Sequence, residues 1–306
     1  MPGAERVLDF SQAKVFLSLR HEQLVIRIDE QPEVTVPLAE VAAVILTSPR
    51  ITATQPALAG LMRHGGSVIV CDDSHQPAGM MLPLSANTTQ TQRMIAQMRA
   101  SVPTGKRIWK QIVQEKIRSQ AATLMAADRG DGGLPALVGL VRSGDPTNVE
   151  GRAAQRYWPL LFDNPNFRRR RDADDQNRLL NYGYAILRAA VGRAICASGL
   201  HPSIGVHHHG RNNPWCLADD LMEPYRPLID SAVVELVGLY GSDCPLDGTS
   251  KARLVSVMSE RLASDGEQRT VFDWISRTSA SLAQVFLGEA TELFYPDGLR
   301  HAPDSV

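Results

Sequence analysis

The sequence predicts an α+β protein: a small N-terminal β-rich, sandwich-like domain over residues 1–83, a linker at 84–89, and a larger all-α domain over 90–306. Three observations predict it. Before Pro83 the apolar residues sit in short runs rich in β-branched side chains, broken by polar residues and prolines. Beyond residue 90 they recur at spacings of three and four, the helical period. Between the two regimes lies Pro83–Thr89 (PLSANTT), polar and proline-containing. With 306 residues, 43% of them hydrophobic, the chain can bury two cores, which excludes a disordered or fibrous protein.

In chain order, Lys14–Arg20, Gln23–Asp29 and Glu33–Leu38 read as strands, followed by two more at Val41–Leu46 and Ser67–Cys71. Gln55–Arg63 between them has helical spacing and stops at His64-Gly65-Gly66. Asp72-Asp73 reads as an Asx turn between strands in preference to a metal pair. The second domain is predicted helical over Gln90–Ala100, Gly105–Ala127, Pro146–Leu161 and Gln176–Ser198, with at least three further helices in the last hundred residues. There is no repeat of fixed period and no low-complexity tract.

Composition narrows the class. No run of 18 apolar residues occurs, and MPGAERVLDF lacks a charged head followed by an apolar stretch, so a cytoplasmic protein without a membrane partner is expected. Cys71, Cys196, Cys216 and Cys244 show no CxxC spacing; buried, reduced thiols are expected instead of a zinc knot or disulfides. The net charge of −1 argues against a nucleic-acid partner, but its distribution argues for one. Residues 1–88, 89–200 and 201–306 carry balances of −3, +9 and −7. A basic middle third beside an acidic third suits a phosphodiester enzyme, with cations for the backbone and carboxylates for a metal.

The densest chemistry lies in Ser203–Asp230, SIGVHHHGRNNPWCLADDLMEPYRPLID, where His207, His208 and His209 precede Asp219, Asp220 and Glu223. On a helix these acids, three and four apart, would share one face. Carboxylates suit Mg²⁺ or Mn²⁺, and a histidine beside them leans towards Mn²⁺. Pro224 and Pro227 place the start of the regular helix close to the acids, where its dipole tolerates negative charge.

Glu150, in Ser143–Phe162, borders an apolar face and reads from periodicity alone as a solvated glutamate. The need for a third ligand from a separate helix gives it a second reading. Arg168, Arg169, Arg170 and Arg171 form either a solvated loop or a phosphate grip. Lys106, Arg107, Lys110 and Lys116, around Trp109, form a second basic patch or an exposed helix face with the indole packed inward.

Several stretches together carry a resemblance. SGD at 143–145, NVEGRAA at 148–154, NYGYA at 181–185, GVHH at 205–208 and DDLMEPYRP at 219–227 resemble the CRISPR-associated adaptation integrases, Cas-one, across essentially the whole chain. The compact length and the DLMEPYRP wording look most like the type II branch. The resemblance implies that Glu150, His208 and Glu223 are metal ligands for Mg²⁺ or Mn²⁺, with Asp220 an adjacent catalytic acid. His207 is the second choice for the histidine, and His209 is less typical of the family. Glu223 stands where other branches have Asp.

The implied function is a metal-dependent DNA endonuclease and integrase of CRISPR adaptation. It joins the 3′-hydroxyl ends of foreign DNA fragments into the repeat array by transesterification. The implied partners are foreign and repeat DNA, a second copy paired through the N-terminal domain, the small protein Cas-two bridging two such homodimers, and other type II adaptation proteins. A metal-dependent repair nuclease without an integrase role, or a DNA-binding scaffold, would use the same residue types.

Overall fold

The computed structural model describes residues 6–10, 14–72, 77–83, 87–170, 173 and 175–300. Arg171 and Asp73 lie outside the described residues. The chain divides into two compact units, Met1–Gln90 and Thr91–Val306.

The first unit holds two four-stranded sheets. One orders β1 (Arg6–Phe10), β5 (Val41–Leu46), β7 (Ser67–Cys71) and β8 (Pro77–Met81), with only the last pair antiparallel. The other orders β4 (Val34–Pro37), β3 (Gln23–Ile28), β2 (Val15–Arg20) and β6 (Ile51–Ala53). Alternation sets the register: in β2, Val15 and Leu17 point inward while Phe16 is exposed. Strand β5 instead reads as a continuous apolar run because it has a strand on either side and is buried over Val41–Ile45. A single apolar cluster joins both sheets to helix α1 (Gln55–Arg63) through Leu17, Leu24, Leu38, Val44, Leu61 and Val68. The strands predicted from sequence are present within a residue or two; β1, β6 and β8 are additional.

The second unit is helical: α2 (Gln90–Met98), α3 (Val102–Ala126), the single turn α4 (Pro135–Val138), α5 (Val149–Leu161), α6 (Asn177–Ala197), α7 (Cys216–Leu221), α8 (Arg226–Tyr240), α9 (Gly248–Ser256) and α10 (Val271–Leu287). It also carries a two-stranded hairpin, β9 (Arg261–Ser264) and β10 (Glu267–Thr270), which periodicity did not foretell. Helix α6 is buried on nearly every side, and Gly183 lets α8 approach it: a Cβ there would stand 2.4 Å from Ile229 Cγ2. Helix α3 presents one stripe to the candidate site. Trp109, Ile112 and Lys116 lie three and four apart, so they share a face that spans two turns. Cys216 and Cys244 are buried as expected, whereas Cys71 and Cys196 are half-buried. No helix among the described residues is long and apolar enough to cross a membrane.

Candidate active site

Glu150 is positioned by the loop before its helix. Asp145, itself buried, accepts the backbone N–H of Val149 through Oδ1 and of Glu150 through Oδ2, each at 2.9 Å. Asn148, in the left-handed region at φ 50°, accepts the N–H of Gly151 at 3.0 Å. Three otherwise orphaned donors of the first turn are thereby satisfied, and the Glu150 side chain leaves the helix at a fixed point. The SGDPTN stretch is therefore a cap, and its Asx residues were the readable signal for it.

Glu223 sits elsewhere than on the helix expected for it. Helix α7 ends at Leu221, and a 3-10 turn over Glu223–Tyr225 precedes α8. Pro224 and Pro227 fall at the first positions of the 3-10 turn and of α8, where no amide is needed. The break redirects the three acids, so they do not share a face. Asp219 binds Arg188 Nε at 2.7 Å and Asn213 Nδ2 at 2.7 Å. Asp220 turns to the histidine loop, and Glu223 turns to α3 and α5.

Asp220 is fully buried, and it holds that loop together. It accepts the backbone N–H groups of Val206 (2.7 Å), His207 (3.0 Å) and His208 (3.2 Å), and it meets His208 Nδ1 at 2.6 Å. Gly205 makes the wrap possible, since a Cβ there would lie 2.4 Å from the His208 carbonyl and 2.9 Å from Asp220 Oδ2. The hydrogen bond to Asp220 raises the His208 pKa and fixes Nδ1 as the protonated nitrogen, leaving Nε2 for a ligand. His207 is differently employed: its ring stacks on Trp109, centroids 4.0 Å apart and planes within 3°. Trp109 meets His208 edge-on at 5.9 Å. His209 is exposed, and with His207, Trp109, Lys106 and Arg211 it lines a cavity of about 860 Å³ that does not take in His208.

Glu150 and Glu223, from separate elements, converge on one cation. Lys116 Nζ lies 2.6 Å from Glu150 Oε1 and 2.5 Å from Glu223 Oε2. Glu223 Oε1 is taken by Arg226 at 3.0 Å, and the Arg226 guanidinium stands over the Tyr184 ring at 4.7 Å. Burial pushes the Glu223 pKa up, but Arg226 and Lys116 outweigh it and hold the carboxyl below its ordinary value; His208 adds to the same field. Behind this layer Tyr157 and Tyr184 both donate to Asp230, whose pKa burial pushes up to about 6.

Lys116 does not belong to the exposed patch that its spacing with Lys106, Arg107 and Lys110 predicts: its side chain is only 13% exposed. Lys106 and Arg107 are exposed and Lys110 half-buried, while Trp109 is packed inward. In the arginine block Arg168 and Arg170 face solvent, but Arg169 turns in to Asn177 Oδ1 (3.0 Å) and Asn181 Oδ1 (2.7 Å) and over Tyr184.

A family model described as CRISPR associated protein Cas1 matches residues 10–240. The chain belongs to the Cas1 (Cas-one) family. It is 38% identical over 222 residues to the CRISPR-associated endonuclease Cas1 of Neisseria meningitidis serogroup C, covering 72% of each chain. Among solved structures it resembles a casposase bound to integration product, with TM-score 0.77, 21% identity, and 94% of this chain and 92% of that one covered. It also resembles a chain of a Cas6-RT-Cas1–Cas2 complex, with TM-score 0.72, 18% identity, and 96% of this chain and 36% of that one covered. At these identities the structural likeness is one of fold.

The donor set fits the divalent ion that the sequence resemblance implies. Two carboxylates and an imidazole are a Mg²⁺ or Mn²⁺ set, and Glu223 Oε2 is sealed from solvent without a hydrogen bond of ordinary geometry. Its partner is a charge, the Lys116 ammonium, in the place a cation would take. Among the described residues no cluster of three or more His, Cys, Asp or Glu is already closed around a common point.

Proposed function

We propose that the chain is a metal-dependent DNA integrase and endonuclease of CRISPR adaptation. It would join the 3′-hydroxyl ends of foreign DNA fragments to the edge of a repeat by transesterification. The observation that carries this reading is the convergence of Glu150 and Glu223 on one half-buried cation, beside a histidine whose Nδ1 is pinned by a buried aspartate. Membership of the Cas1 family, a casposase bound to integration product and a Cas1–Cas2 complex among the structural neighbours support it.

Glu150, Glu223 and His208 Nε2 would hold Mg²⁺ or Mn²⁺, which when bound supplies charge stabilisation at a phosphodiester and a lowered pKa for a bound hydroxyl. His208 is chosen over His207 because Asp220 orients its ring, whereas the His207 ring is stacked on Trp109. Asp220 acts through His208: it sets the tautomer and keeps the basic nitrogen facing outward from the loop backbone it binds. Lys106, Arg107, Lys110, Arg168 and Arg170 supply cations for DNA phosphates. In strand transfer the attacking 3′-oxygen forms a bond to phosphorus as the bond to the repeat's 3′-oxygen breaks, and the hydroxyl proton passes to the departing oxygen by way of solvent. With water as nucleophile the same displacement is cleavage. The partners under this reading are foreign and repeat DNA, a second copy joined through the first unit, and Cas2 (Cas-two) bridging two dimers.

The test is strand transfer of a short duplex with 3′-hydroxyl ends into supercoiled plasmid with Mg²⁺ or Mn²⁺, with and without Cas2. Joined products that disappear with EDTA, Glu150→Ala and His208→Ala are expected. Nicked plasmid without joined product, even with Cas2 present, would assign the site to a repair nuclease.

A further inference from the structure

Glu223 has no oxygen to spare. Arg226 holds Oε1 and Lys116 holds Oε2, and the same ammonium closes on Glu150 Oε1. The two cations differ in how easily they can leave. The Arg226 guanidinium is planar, stacked over Tyr184 and one helical turn from Glu223. The Lys116 ammonium hangs on four rotatable carbons from α3, whose backbone is anchored by buried Ile112, Val113 and Ile117. Departure of Lys116 is therefore a change of rotamer, not a movement of the helix.

We propose that Lys116 is the resident counter-ion of the site: it closes the Glu150–Glu223 pair while no divalent ion is bound, and it has to leave before one enters. This rests on the metal reading above. Glu223 is buried and Glu150 partly so, and with no cation between them the two carboxylates would repel each other, so the lysine preserves the ligand geometry in the metal-free protein. The same contact makes it a competitor, because an ammonium and a divalent ion cannot both sit against Glu223 Oε2. Size permits the exchange. The ammonium stands 2.5 and 2.6 Å from its oxygens, and Mg²⁺ takes oxygens at about 2.1 Å, so each carboxylate needs to close in by only about half an ångström.

The experiment is Mn²⁺ binding to the full chain, read by the electron paramagnetic resonance of the free ion, together with melting of the metal-free protein. It compares wild type with Lys116→Met, Lys116→Arg and Glu223→Gln. Lys116→Met is expected to bind Mn²⁺ roughly tenfold more tightly or better, the yield of removing one partly buried ion-pair competitor, and to melt lower than wild type without metal but not with it. Lys116→Arg, whose fork is held by both carboxylates, is expected to bind more weakly than wild type and serves if the methionine variant does not fold. Binding no tighter in Lys116→Met, or no weaker in Lys116→Arg, with binding lost in Glu223→Gln, overturns the counter-ion role and leaves the metal site standing. Equal Mn²⁺ binding by wild type and Glu223→Gln overturns both.

Discussion

Asp220→Asn is the sharpest probe of how the histidine loop is held. In the wild type, Oδ2 accepts from the amides of Val206 and His207, and Oδ1 accepts from the amide and Nδ1 of His208. An asparagine can keep one of these pairs. Its NH₂ then faces two donors, so two charge-assisted bonds are lost and two N–H groups point at another donor. Bonds to a charged acceptor contribute about 1.5–3 kcal/mol each. The His208 side chain is 45% exposed, so part of the loss is recovered from water, and the net cost is about 3 kcal/mol.

That cost falls on the loop before it falls on the fold, since Asp220 itself lies in α7 within the packed unit. The assay is therefore amide hydrogen exchange of a peptide covering residues 203–209, where exchange should quicken by roughly a hundredfold. Loss of ring orientation should also weaken Mn²⁺ binding by about ten- to a hundredfold, by the proposed ligation through Nε2. Unchanged exchange at Val206–His208 would refute the reasoning, because it would mean that the loop holds its shape without the buried carboxylate.

Three further outcomes are expected. Gly183→Ala drives a methyl to 2.4 Å from Ile229 Cγ2 and should destabilise the second unit by about 1–3 kcal/mol in urea unfolding, while Gly238→Ala, which meets nothing within 4 Å, should not. Asp230, with its folded pKa raised to about 6 from 3.8, gives stability that is fully present below about pH 4 and lost as pH rises through 6; relative to wild type, Asp230→Asn should gain roughly 3 kcal/mol between pH 4 and pH 7 in denaturant titrations, and a constant difference would refute the assignment. Arg168→Ala with Arg170→Ala should weaken duplex binding and flatten its dependence on salt, whereas Arg169→Ala should act on stability, since its guanidinium is spent on Asn177 and Asn181; equal salt slopes for the double variant and wild type would remove Arg168 and Arg170 from the DNA surface.

What was legible in the sequence follows from the range of each signal. Strands β2, β3 and β5 and helices α3, α5 and α6 could be read because their periodicity is a property of consecutive residues. Strand β6, of three residues, is too short to show a period, and β9 (RLAS) and β10 (EQRT) lack the β-branched apolar run that marks β4 at the same length, so the hairpin in the helical unit carries no strand signal. The turn of the acids has a visible cause in Pro224 and Pro227, both helix-start residues. Two starts three residues apart mean that α7 has ended before Glu223: Asp219 and Asp220, consecutive on α7, point about 100° apart, and Glu223 leaves with the 3-10 turn, so the three meet different partners.

Lys116 marks where reading along the chain stops being informative. A lysine on an amphipathic helix is usually at its solvated edge, and nothing within α3 distinguishes Lys116 from Lys106 or Lys110. Register places Lys116, seven residues on, and Lys106, three residues back, alike on the face of Trp109; Lys106 is exposed, whereas Lys116 falls where other segments bring carboxylates to that face. The lysine thus joins the site of a tryptophan stacked on one of its histidines because α5 and the 3-10 turn deliver Glu150 and Glu223 to it. The commitment requires three segments far apart in sequence, so it exists only in the folded chain. A charged residue at a helical register with a site aromatic belongs to the site where another segment brings opposite charge to that face, and the general preference of lysine for solvent then decides only how readily its ammonium can leave.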